Sequence, residues 1–419
     1  MNNCLLLLTN YYPFHKGEEY LESEVEYLAA KFKQIYIIST MVSVEMRPTR
    51  KVPRNVTILP IGIKHSVMGK IGMVFRQYRT IHNDEVKRQM INESSKGKKM
   101  AKFYSYYFES RSMDVYERLK EKLDEFDFDQ YDSITLYSYW LYITARVAVE
   151  LKNNYFKDKN PYTISRAHGY DINEHVNLLK FLPEREFLLD SLDNVFPVSQ
   201  NGVDFLKIKY PNYKYKVEVR RLGSRKLNDK DLTKNEFLNI VSCSTIRKLK
   251  RIDLLIEALA LLREKQINFK WTHIGGGPEY EHVKKLASKK LDKHQFEFTG
   301  HVKNSEVLDW YQNNNATVFV NTSSSEGVPV SIMEAMSIAL PVIATDVGGT
   351  KEIVDPHVTG FLLKSDCTKE EIASYLIKIQ SMNQGEYKQM CQAAYLLWDN
   401  HCNADKLYSD FANEISSIN

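Results

Sequence analysis

The chain has 419 residues, of which 43% are apolar, and a formal charge of +4 from 57 basic and 53 acidic side chains. This length exceeds the usual size of one hydrophobic core and predicts two domains, and so small a net charge gives no indication of a nucleic-acid partner. Five cysteines without CxxC or zinc-ligand spacing are typical of a reducing cytosol. No apolar run approaches the ~18 residues that span a bilayer, and the N-terminal CLLLL is too short for a signal peptide, so we expect a cytoplasmic protein.

The N-terminal half predicts an α/β domain with a parallel sheet. Its β-α-β opening implies a right-handed crossover. Gly17 lies in the loop after the first strand, where open α/β sheets bind ligands, and a glycine there lets a phosphate approach the backbone. A plain turn glycine remains the alternative. Apolar runs and helical spacing predict strands at 3–9, 35–39, 133–137, 162–167 and 194–198 and helices at 18–32 and 201–209.

A basic segment between Lys64 and Arg111 interrupts this predicted domain. It contains eleven Lys or Arg and four Asp or Glu, a charge of +7, so the rest of the chain carries −3. Its pattern predicts an inserted helical element near residues 64–125. Two interpretations are open: a solvated helical face, which such charge runs usually form, or a surface that contacts anionic lipid, because its basic residues are interleaved with aromatic ones.

The C-terminal half begins a second alternation of strands and helices after a polar linker at 225–236. The predicted domains are therefore residues 1–224 and 225–395, with a final helix at 396–419 that packs back on the first domain. Two successive β/α domains imply a cleft between them that holds two substrates. The second alternation predicts strands at 237–242, 269–274, 296–299 and 317–320 and helices at 252–263, from 279 and at 307–311.

The stretch SSSEGVPVSIMEAMS, Ser323–Ser337, is the strongest candidate for a ligand site. It follows a buried strand and begins a helix, because Pro329 suits a first helical turn. The free N–H groups of a helix N-terminus suit phosphate, whereas the carboxylates of Glu326 and Glu334 suit hydroxyl groups. A ligand that offers both groups is a nucleotide sugar.

Two further patterns follow strands of the second predicted domain. Gly275-Gly276-Gly277-Pro278 fails the dinucleotide fingerprint, because Tyr280 stands where a glycine is needed, so we interpret it as a turn near a nucleotide or near helix packing. The basic cluster Arg247, Lys248, Lys250 and Arg251 is either a surface turn or a set of charges that neutralises a diphosphate.

The acidic run around Asp127 and Asp129 has the form of a metal-binding motif. Asp127-Phe128-Asp129 has the D-x-D form that some sugar transferases of another fold use to bind a metal ion. It belongs to the run DEFDFDQYD and has no matching carboxylate cluster, so we interpret it as a solvated connection and predict no metal site.

The segment SSSEGVPVSIMEAMSIALPVIATDVGGTKEIV, followed by TGFLL, closely resembles the signature of retaining glycosyltransferases of the GT-B fold in sequence family four. Its core is a glutamate, seven residues and a second glutamate, here Glu326 and Glu334. The resemblance implies an α/β protein of the GT-B fold, with two Rossmann-like β/α/β domains that face a cleft, the first binding the acceptor and the second the nucleotide sugar. Other matches, in the same order as in the family, are Gly17-Glu18, HGYD at 168–171, RLG at 221–223, KRIDLLIEAL from Lys250, HIGGGPEY from His273 and FTGHV from Phe298.

The resemblance also implies a role for individual residues. Glu326 contacts the transferred sugar and Glu334 the ribose hydroxyls, while Lys250 and the Gly17 loop serve the diphosphate. His168 lies beside the reacting sugar, with a structural histidine as the alternative. The predicted catalytic residues are His168, Glu326 and Lys250, and the predicted donor-binding residues are Gly17, Arg247, Lys250, Arg251, Gly276, His301, Val302, Glu326, Gly327, Val328, Val330 and Glu334.

One departure from the family pattern concerns the phosphate contacts. Many members have an arginine five positions before the lysine and a glycine after it, and this chain has Thr245 and Arg251 there. Arg247 or Arg251 is the candidate for the missing charge.

The predicted function is retaining transfer of a sugar from a UDP- or GDP-sugar, without a metal or other cofactor, in bacterial capsule, exopolysaccharide or O-antigen synthesis. The predicted acceptor is a glycan or a sugar on polyprenyl diphosphate, which places the protein in the cytoplasm or at the inner face of the plasma membrane. The alternatives are a nucleotide-sugar epimerase or phosphorylase of the same fold, and a non-catalytic scaffold.

Overall fold

A computed structural model describes residues 2–15, 17–62, 67–174, 179–227 and 237–418. The chain divides into two compact units: the first is Met1–Arg220 with Tyr408–Asn419, and the second is Arg221–Leu407. Residues 228–236 of the predicted linker and residues 63–66, at the start of the predicted basic insertion, lie outside the described part. Each unit is a parallel α/β structure.

The first unit is built on a six-stranded parallel sheet with the order β3-β2-β1-β4-β5-β6. The strands are β1 (Asn3–Thr9), β2 (Gln34–Ser39), β3 (Val56–Pro60), β4 (Ser133–Ser138), β5 (Tyr162–Ala167) and β6 (Asn194–Pro197). The helices are α1 (Leu21–Ala29), α2 (Val67–Asn83), α3 (Glu85–Ser95), α4 (Lys99–Leu123), α5 (Ile143–Glu150), α6 (Gly169–Ile172), α7 (Arg185–Ser191) and α8 (Gln200–Lys209).

The sequence of strand β1 contains a continuous apolar run rather than an alternating pattern, because both faces of the strand are covered. Leu5 and Leu7 pack on one face of the sheet against α1, and Leu6 and Leu8 pack on the other against α4 and α5. All seven residues of the strand are buried. A central parallel strand covered on both faces has this pattern.

Two local expectations for the first unit were wrong. The helix expected from Glu18 begins at Leu21, and Glu18 lies in the preceding loop with φ of 56°. Strand β3 was not predicted, because its half-buried residues at the sheet edge and its terminal proline weaken the apolar signal.

The second unit repeats the architecture, with the sheet order β12-β11-β10-β7-β8-β9 and parallel pairing throughout its described strands. The strands are β7 (Leu238–Cys243), β8 (Phe269–Ile274), β9 (Phe296–Phe298), β10 (Val318–Asn321), β11 (Val342–Thr345) and β12 (Gly360–Leu363). The helices are α9 (Ile252–Glu264), α10 (Tyr280–Lys290), α11 (Asn304–Asn313), α12 (Val330–Ser337), α13 (Lys369–Ser381), α14 (Gln384–His401) and α15 (Ala404–Ser417).

A large cluster of apolar side chains around Trp271 packs between the sheet of the second unit and helices α9, α10 and α13. The end of α15 belongs to the first unit, where Phe411 and Ile415 join the cluster that covers α1. Within the described residues, no helix is both long enough and apolar enough to cross a bilayer.

Candidate functional site

The turn between β10 and α12 contains Glu326, and the structure shows how this carboxylate is held. Its Oε1 accepts hydrogen bonds from Lys250 Nζ at 2.6 Å, Ser323 Oγ at 2.6 Å and Asn321 Nδ2 at 3.1 Å. Its Oε2 has no hydrogen bond to any residue in the described ranges. One oxygen is therefore fixed by the protein, and the other is available to a ligand.

Lys250 reaches Glu326 from the short helical turn after β7. Strands β7 and β10 are neighbours in the parallel sheet, so the loops at their carboxyl ends meet at one edge. The Lys250 side chain is 20% exposed. The sequence predicted that Lys250 and Glu326 lie close together, and in the structure they form a direct ion pair.

Arg251, a predicted phosphate contact, is engaged with the backbone in this structure. Its guanidinium donates to the carbonyl groups of Thr322, Ser323 and Ser365. These bonds fix the start of the Glu326 turn. Arg247 and Lys248, of the same predicted basic cluster, are both exposed.

Helix α12 begins immediately after Pro329, which is its N-cap with an extended backbone. The first N–H groups of a helix have no intrahelical acceptor, so the predicted residues Gly327, Val328 and Val330 surround a site where an anion would be favoured. Glu326 directly precedes these residues in the turn.

The turn after β11 supports the Glu326 turn from behind. Gly349 N donates to Gly327 O at 2.6 Å. Gly348 has φ of 57°, and a Cβ added to it would lie 2.0 Å from Glu326 O. Only glycine fits this close approach between two backbones.

Glu334 is the fifth residue of α12 and lies near Cys243, at the end of β7. It is buried, with 8% of its surface exposed, and burial raises the pKa of its carboxyl to about 7. Glu334 and Lys250 both act electrostatically on the thiol of Cys243 at the end of β7. The second unit thus brings Lys250, Glu326 and Glu334 to one edge of its sheet.

The glycine turn after β8 lines an open pocket together with the loop after β9. The lining includes Gly276 and His301, two of the predicted donor-binding residues, as well as Tyr280 and Glu281. A Cβ on Gly276 would lie 3.1 Å from His301 N, so the two loops are in close backbone contact. Val302 follows His301 and is half-buried.

In the first unit, Gly17 occupies the loop after β1 with φ of 91°. Its carbonyl accepts a hydrogen bond from Arg50 Nη1 at 2.9 Å, and its N–H donates to Glu19 Oε1 at 2.7 Å. Both the carbonyl and the N–H of Gly17 are therefore fixed by hydrogen bonds to side chains.

His168 is half-buried at the end of β5. Its Nε2 hydrogen-bonds the Tyr139 carbonyl at 3.0 Å, which requires an N–H on Nε2. The aromatic rings of Tyr139 and Trp140 lie 4.7 and 4.5 Å from the imidazole. Burial, reinforced by the Arg166 charge, lowers the pKa of His168 to about 3 and keeps the ring neutral.

Asp171 fixes the turn that carries His168. Its carboxylate accepts the N–H of His168 and that of Leu141 at 2.7 Å, and burial raises its pKa to about 7.

Sequence reasoning included Asp171 in the HGYD motif without assigning it a role. It missed Asn321 and Ser323 as partners of Glu326, although both lie within five residues of it.

Among the described residues, no group of three or more His, Cys, Asp or Glu side chains is arranged to hold a metal ion. The Asp127-Phe128-Asp129 run lies in a turn before β4, where the Asp129 carboxylate pairs with Lys159 at 2.9 Å.

Residues 224–396, which include every candidate residue of the second unit, match the model of the family described as glycosyl transferases group 1. The match lies within the second unit and covers less than half of the chain. Among relatives in sequence, WcaL of Escherichia coli, assigned to colanic acid biosynthesis as a glycosyltransferase, is 26% identical over 204 residues, 47% of this chain and 50% of WcaL. The chain therefore spans about half the length of this relative.

Solved structures of glycosyl transferases share the fold over the whole chain. The lipopolysaccharide outer core galactosyltransferase WaaB has a TM-score of 0.67 at 13% identity, covering 99% of this chain and 98% of WaaB. HepE of Anabaena, solved in complex with UDP-glucose, has a TM-score of 0.64 at 12% identity, covering 99% of this chain and 100% of HepE. These similarities confirm the predicted GT-B fold.

Proposed function

We propose that this group 1 glycosyl transferase moves a sugar, with retention at the anomeric carbon, from a nucleoside-diphosphate-sugar to a hydroxyl group of a glycan or a polyprenyl-diphosphate-linked acceptor. The process would be the synthesis of a bacterial capsule, exopolysaccharide or O-antigen. The observation that carries the proposal is the Glu326 carboxylate, with Oε1 held by Lys250 and Oε2 open, at the N-terminus of α12.

The donor is proposed to be a UDP- or GDP-sugar bound by the second unit. Glu326 Oε2 would accept hydrogen bonds from the transferred sugar, and Glu334 from the ribose. Lys250, Arg247 and the first N–H groups of α12 would face the diphosphate. Solved relatives of the same fold contain UDP or UDP-glucose, which supports a uridine nucleotide as the first donor to test.

The reaction needs stabilisation of a leaving diphosphate rather than a protein nucleophile. The bond between the anomeric carbon and the phosphate oxygen breaks, the acceptor oxygen forms the new bond on the same face, and the acceptor proton passes to the departing diphosphate. Lys250 and the N–H groups at the start of α12 would stabilise the charge that develops on that diphosphate. Because these groups supply positive charge, the reaction is proposed to proceed without a metal ion.

His168 is proposed as the catalytic residue of the first unit. It is neutral, since burial lowers its pKa to about 3, and it therefore acts by hydrogen bonding rather than as a cation. Nε2 is bonded to the Tyr139 carbonyl, so a sugar hydroxyl would be bound through Nδ1, on the ring that forms a capping box with Asp171.

We also propose peripheral binding at the cytoplasmic face of the membrane, through the turn between α3 and α4. Lys96, Lys98, Lys99 and Lys102 are exposed there, and Met100 and Phe103 are 63% and 64% exposed. Lysines in the first turn of α4 oppose the helix dipole, so they do not serve the stability of the helix. Basic and apolar side chains together suit an anionic headgroup layer.

Flotation with liposomes tests this membrane contact. We expect the wild type to float with vesicles that contain anionic lipid and to remain in solution with neutral ones. A Lys98→Glu, Lys99→Glu, Phe103→Ser variant should lose binding, whereas Lys285→Glu and Lys289→Glu on exposed faces of α10 should retain it. Flotation that ignores lipid charge would contradict the proposal.

Donor binding tests the central proposal. UDP-, GDP- and ADP-sugars should be screened by thermal shift, since a ligand at ~100 times its dissociation constant adds about 2.7 kcal/mol of apparent stability. Release of nucleoside diphosphate is then measured with the identified donor and acceptor glycans. Glu326→Gln should lower turnover by about a hundredfold, whereas Glu297→Gln, on the exposed edge strand β9, should leave it unchanged.

The alternatives give different products. An epimerase would convert the donor alone, and a phosphorylase would require free phosphate. A non-catalytic scaffold would bind no donor. Full turnover in Glu326→Gln would refute the role of Glu326 whichever donor is found.

A further inference from the structure

The carboxylate of Glu18, in the loop after β1, is turned into the first unit. Its Oε2 accepts the N–H groups of Tyr11 and Tyr12, each at 2.7 Å, and its Oε1 accepts that of Asn10 at 2.8 Å. Three successive backbone N–H groups form a concave anion site, and here an acidic side chain of the same loop fills it.

A fourth donor to Glu18 comes from a distant part of the chain. The indole Nε1 of Trp140 donates to Glu18 Oε1 at 2.6 Å, across 122 residues of sequence. Trp140 follows β4, and its ring lies 4.5 Å from the imidazole of His168, which follows β5. The loops after β1, β4 and β5, three neighbouring strands, are thus joined by one carboxylate and one indole.

The local backbone and the burial indicate that this arrangement is specific. Glu18 has φ of 56°, a conformation that costs energy for a residue with a side chain, and it is only 6% exposed. A buried carboxylate is tolerated only when its hydrogen-bonding capacity is met. Four donors meet that requirement, and removing the carboxylate would leave four donors without an acceptor.

Neighbouring acids of the same loop behave differently. The side chains of Glu19 and Glu22 are 46% and 53% exposed, and both pair at long range with Arg50 on the outer side of the loop. Glu19 also accepts the N–H of Gly17 and so contributes to the same loop, which leaves Glu22 as the control that shares the sequence neighbourhood of Glu18.

We propose that Glu18 is a positioning residue for the transfer reaction, which sets the Trp140 ring against His168 and fixes the loop of Gly17. The inference rests on the proposed function, because it assigns Glu18 a role through His168. Glu18 does not itself touch the substrate, since both of its oxygens are occupied by the protein.

The first test compares kinetic constants in Glu18→Gln, Trp140→Phe and the double variant. Trp140→Phe keeps an aromatic ring on His168 and removes the N–H. Each single variant should lower kcat by about tenfold to a hundredfold through misplacement of His168. Trp140→Phe, which leaves the backbone contacts of Glu18 in place, should not change the dissociation constant of the donor. The double variant should be no slower than the slower single variant, because both changes break the same link. Glu22→Gln should match the wild type.

The second test uses nuclear magnetic resonance and needs no activity, so it separates this inference from the proposed function. The Trp140 indole N–H signal is assigned by its loss in Trp140→Phe. In Glu18→Gln this signal and the imidazole signals of His168 should shift, whereas Glu22→Gln should leave both in place. If wild-type protein transfers no sugar, the proposed function fails while this link is still measured.

Two results would overturn the inference. The first is a Glu18→Gln spectrum in which Trp140 and His168 do not move. The second is a pair of single-variant losses in kcat that multiply in the double variant, because independent effects multiply. If Glu18→Gln does not fold, the inference is tested by Trp140→Phe alone. A kcat of Trp140→Phe equal to that of the wild type then contradicts it.

Discussion

The two units carry the same sheet architecture but place their charged side chains differently. In the first unit, Arg166 and Glu24 form an ion pair at 3.1 Å with both side chains fully buried. In the second, the Lys250–Glu326 pair lies at the ends of two strands and remains partly exposed. One pair belongs to the core, and the other belongs to a surface that a ligand can reach.

A second buried cluster extends this contrast. Arg146 lies 2.8 Å from Glu109, 2.5 Å from Glu150 and 3.2 Å from Glu184, and Lys87 approaches the first two of these acids. Burial and the neighbouring Glu109 raise the pKa of Glu184 well above its usual value. The cluster therefore places the cations Arg146 and Lys87 among three buried acids, of which Glu184 holds its proton most tightly.

This difference in burial indicates that the ion pairs of the first unit serve stability, whereas the Lys250–Glu326 pair serves ligand binding. A buried ion pair is costly to break, because the remaining charge has no partner and no water. The Lys250–Glu326 pair is 20% and 10% exposed and lies at the strand ends, so its members can exchange partners when a ligand arrives, and breaking it should cost less than breaking the fully buried pair. The predictions below test this division in order of expected effect.

The largest effect is expected from Arg166→Met. The change leaves Glu24 buried without its cation and removes the Arg166 Nε bond to Tyr137 Oη at 2.6 Å. We expect a loss of about 3–5 kcal/mol in the free energy of unfolding, measured by urea denaturation. Arg166→Met combined with Glu24→Gln should recover part of that loss. A single variant as stable as the wild type would remove the contrast between the units.

The next effect concerns pH and Glu334. Burial raises the pKa of Glu334 to about 7 from its usual 4.5, so the folded state holds this proton more tightly than the unfolded state. The resulting stability is fully present below pH 4.5 and is lost as pH rises to about 7, a change of about 3 kcal/mol. Urea denaturation of the wild type and Glu334→Gln between pH 4.5 and 8 should show a difference that varies by this amount. Parallel profiles would contradict the assignment.

The smallest change in stability is expected from Lys250→Met. Glu326 is 10% exposed and keeps the hydrogen bonds from Ser323 and Asn321, so the loss of Lys250 should lower the free energy of unfolding by about 1–3 kcal/mol. Affinity for the nucleoside diphosphate should fall by about tenfold to a hundredfold, since a charge-assisted hydrogen bond contributes about 1.5–3 kcal/mol. Isothermal calorimetry measures this, with Lys270→Met on the exposed edge of β8 as the control. A stability loss as large as that of Arg166→Met would show that the pair is structural.

The sequence predicted the parts of this structure that local pattern determines. The continuous apolar run of β1 predicted that strand correctly, because a strand buried on both faces favours apolar side chains at successive positions. The bounds of β5 and β8 were also predicted, although YTISRA and FKWTHI contain polar residues. Glu326 was found because its strand, turn and helix are contiguous in sequence. The fold followed from the repeated alternation of these elements.

The contacts that escaped prediction join distant residues or depend on backbone conformation. Glu18 continued the helical pattern of Leu21 and Val25 and was therefore expected in the helix, whereas its partner Trp140 lies far along the chain. Arg251 bonds to Ser365, which no local pattern links to it. Its predicted contact with the diphosphate stays a prediction.

The close approach of Gly348 to the Glu326 backbone has a consequence for evolution and for redesign. A methyl group on Gly348 would lie 2.0 Å from Glu326 O, so any larger residue at this position would displace the backbone that carries the Glu326 carboxylate. Two loops that follow different strands are therefore bound to change together. Libraries that vary the Glu326 turn should keep Gly348 constant.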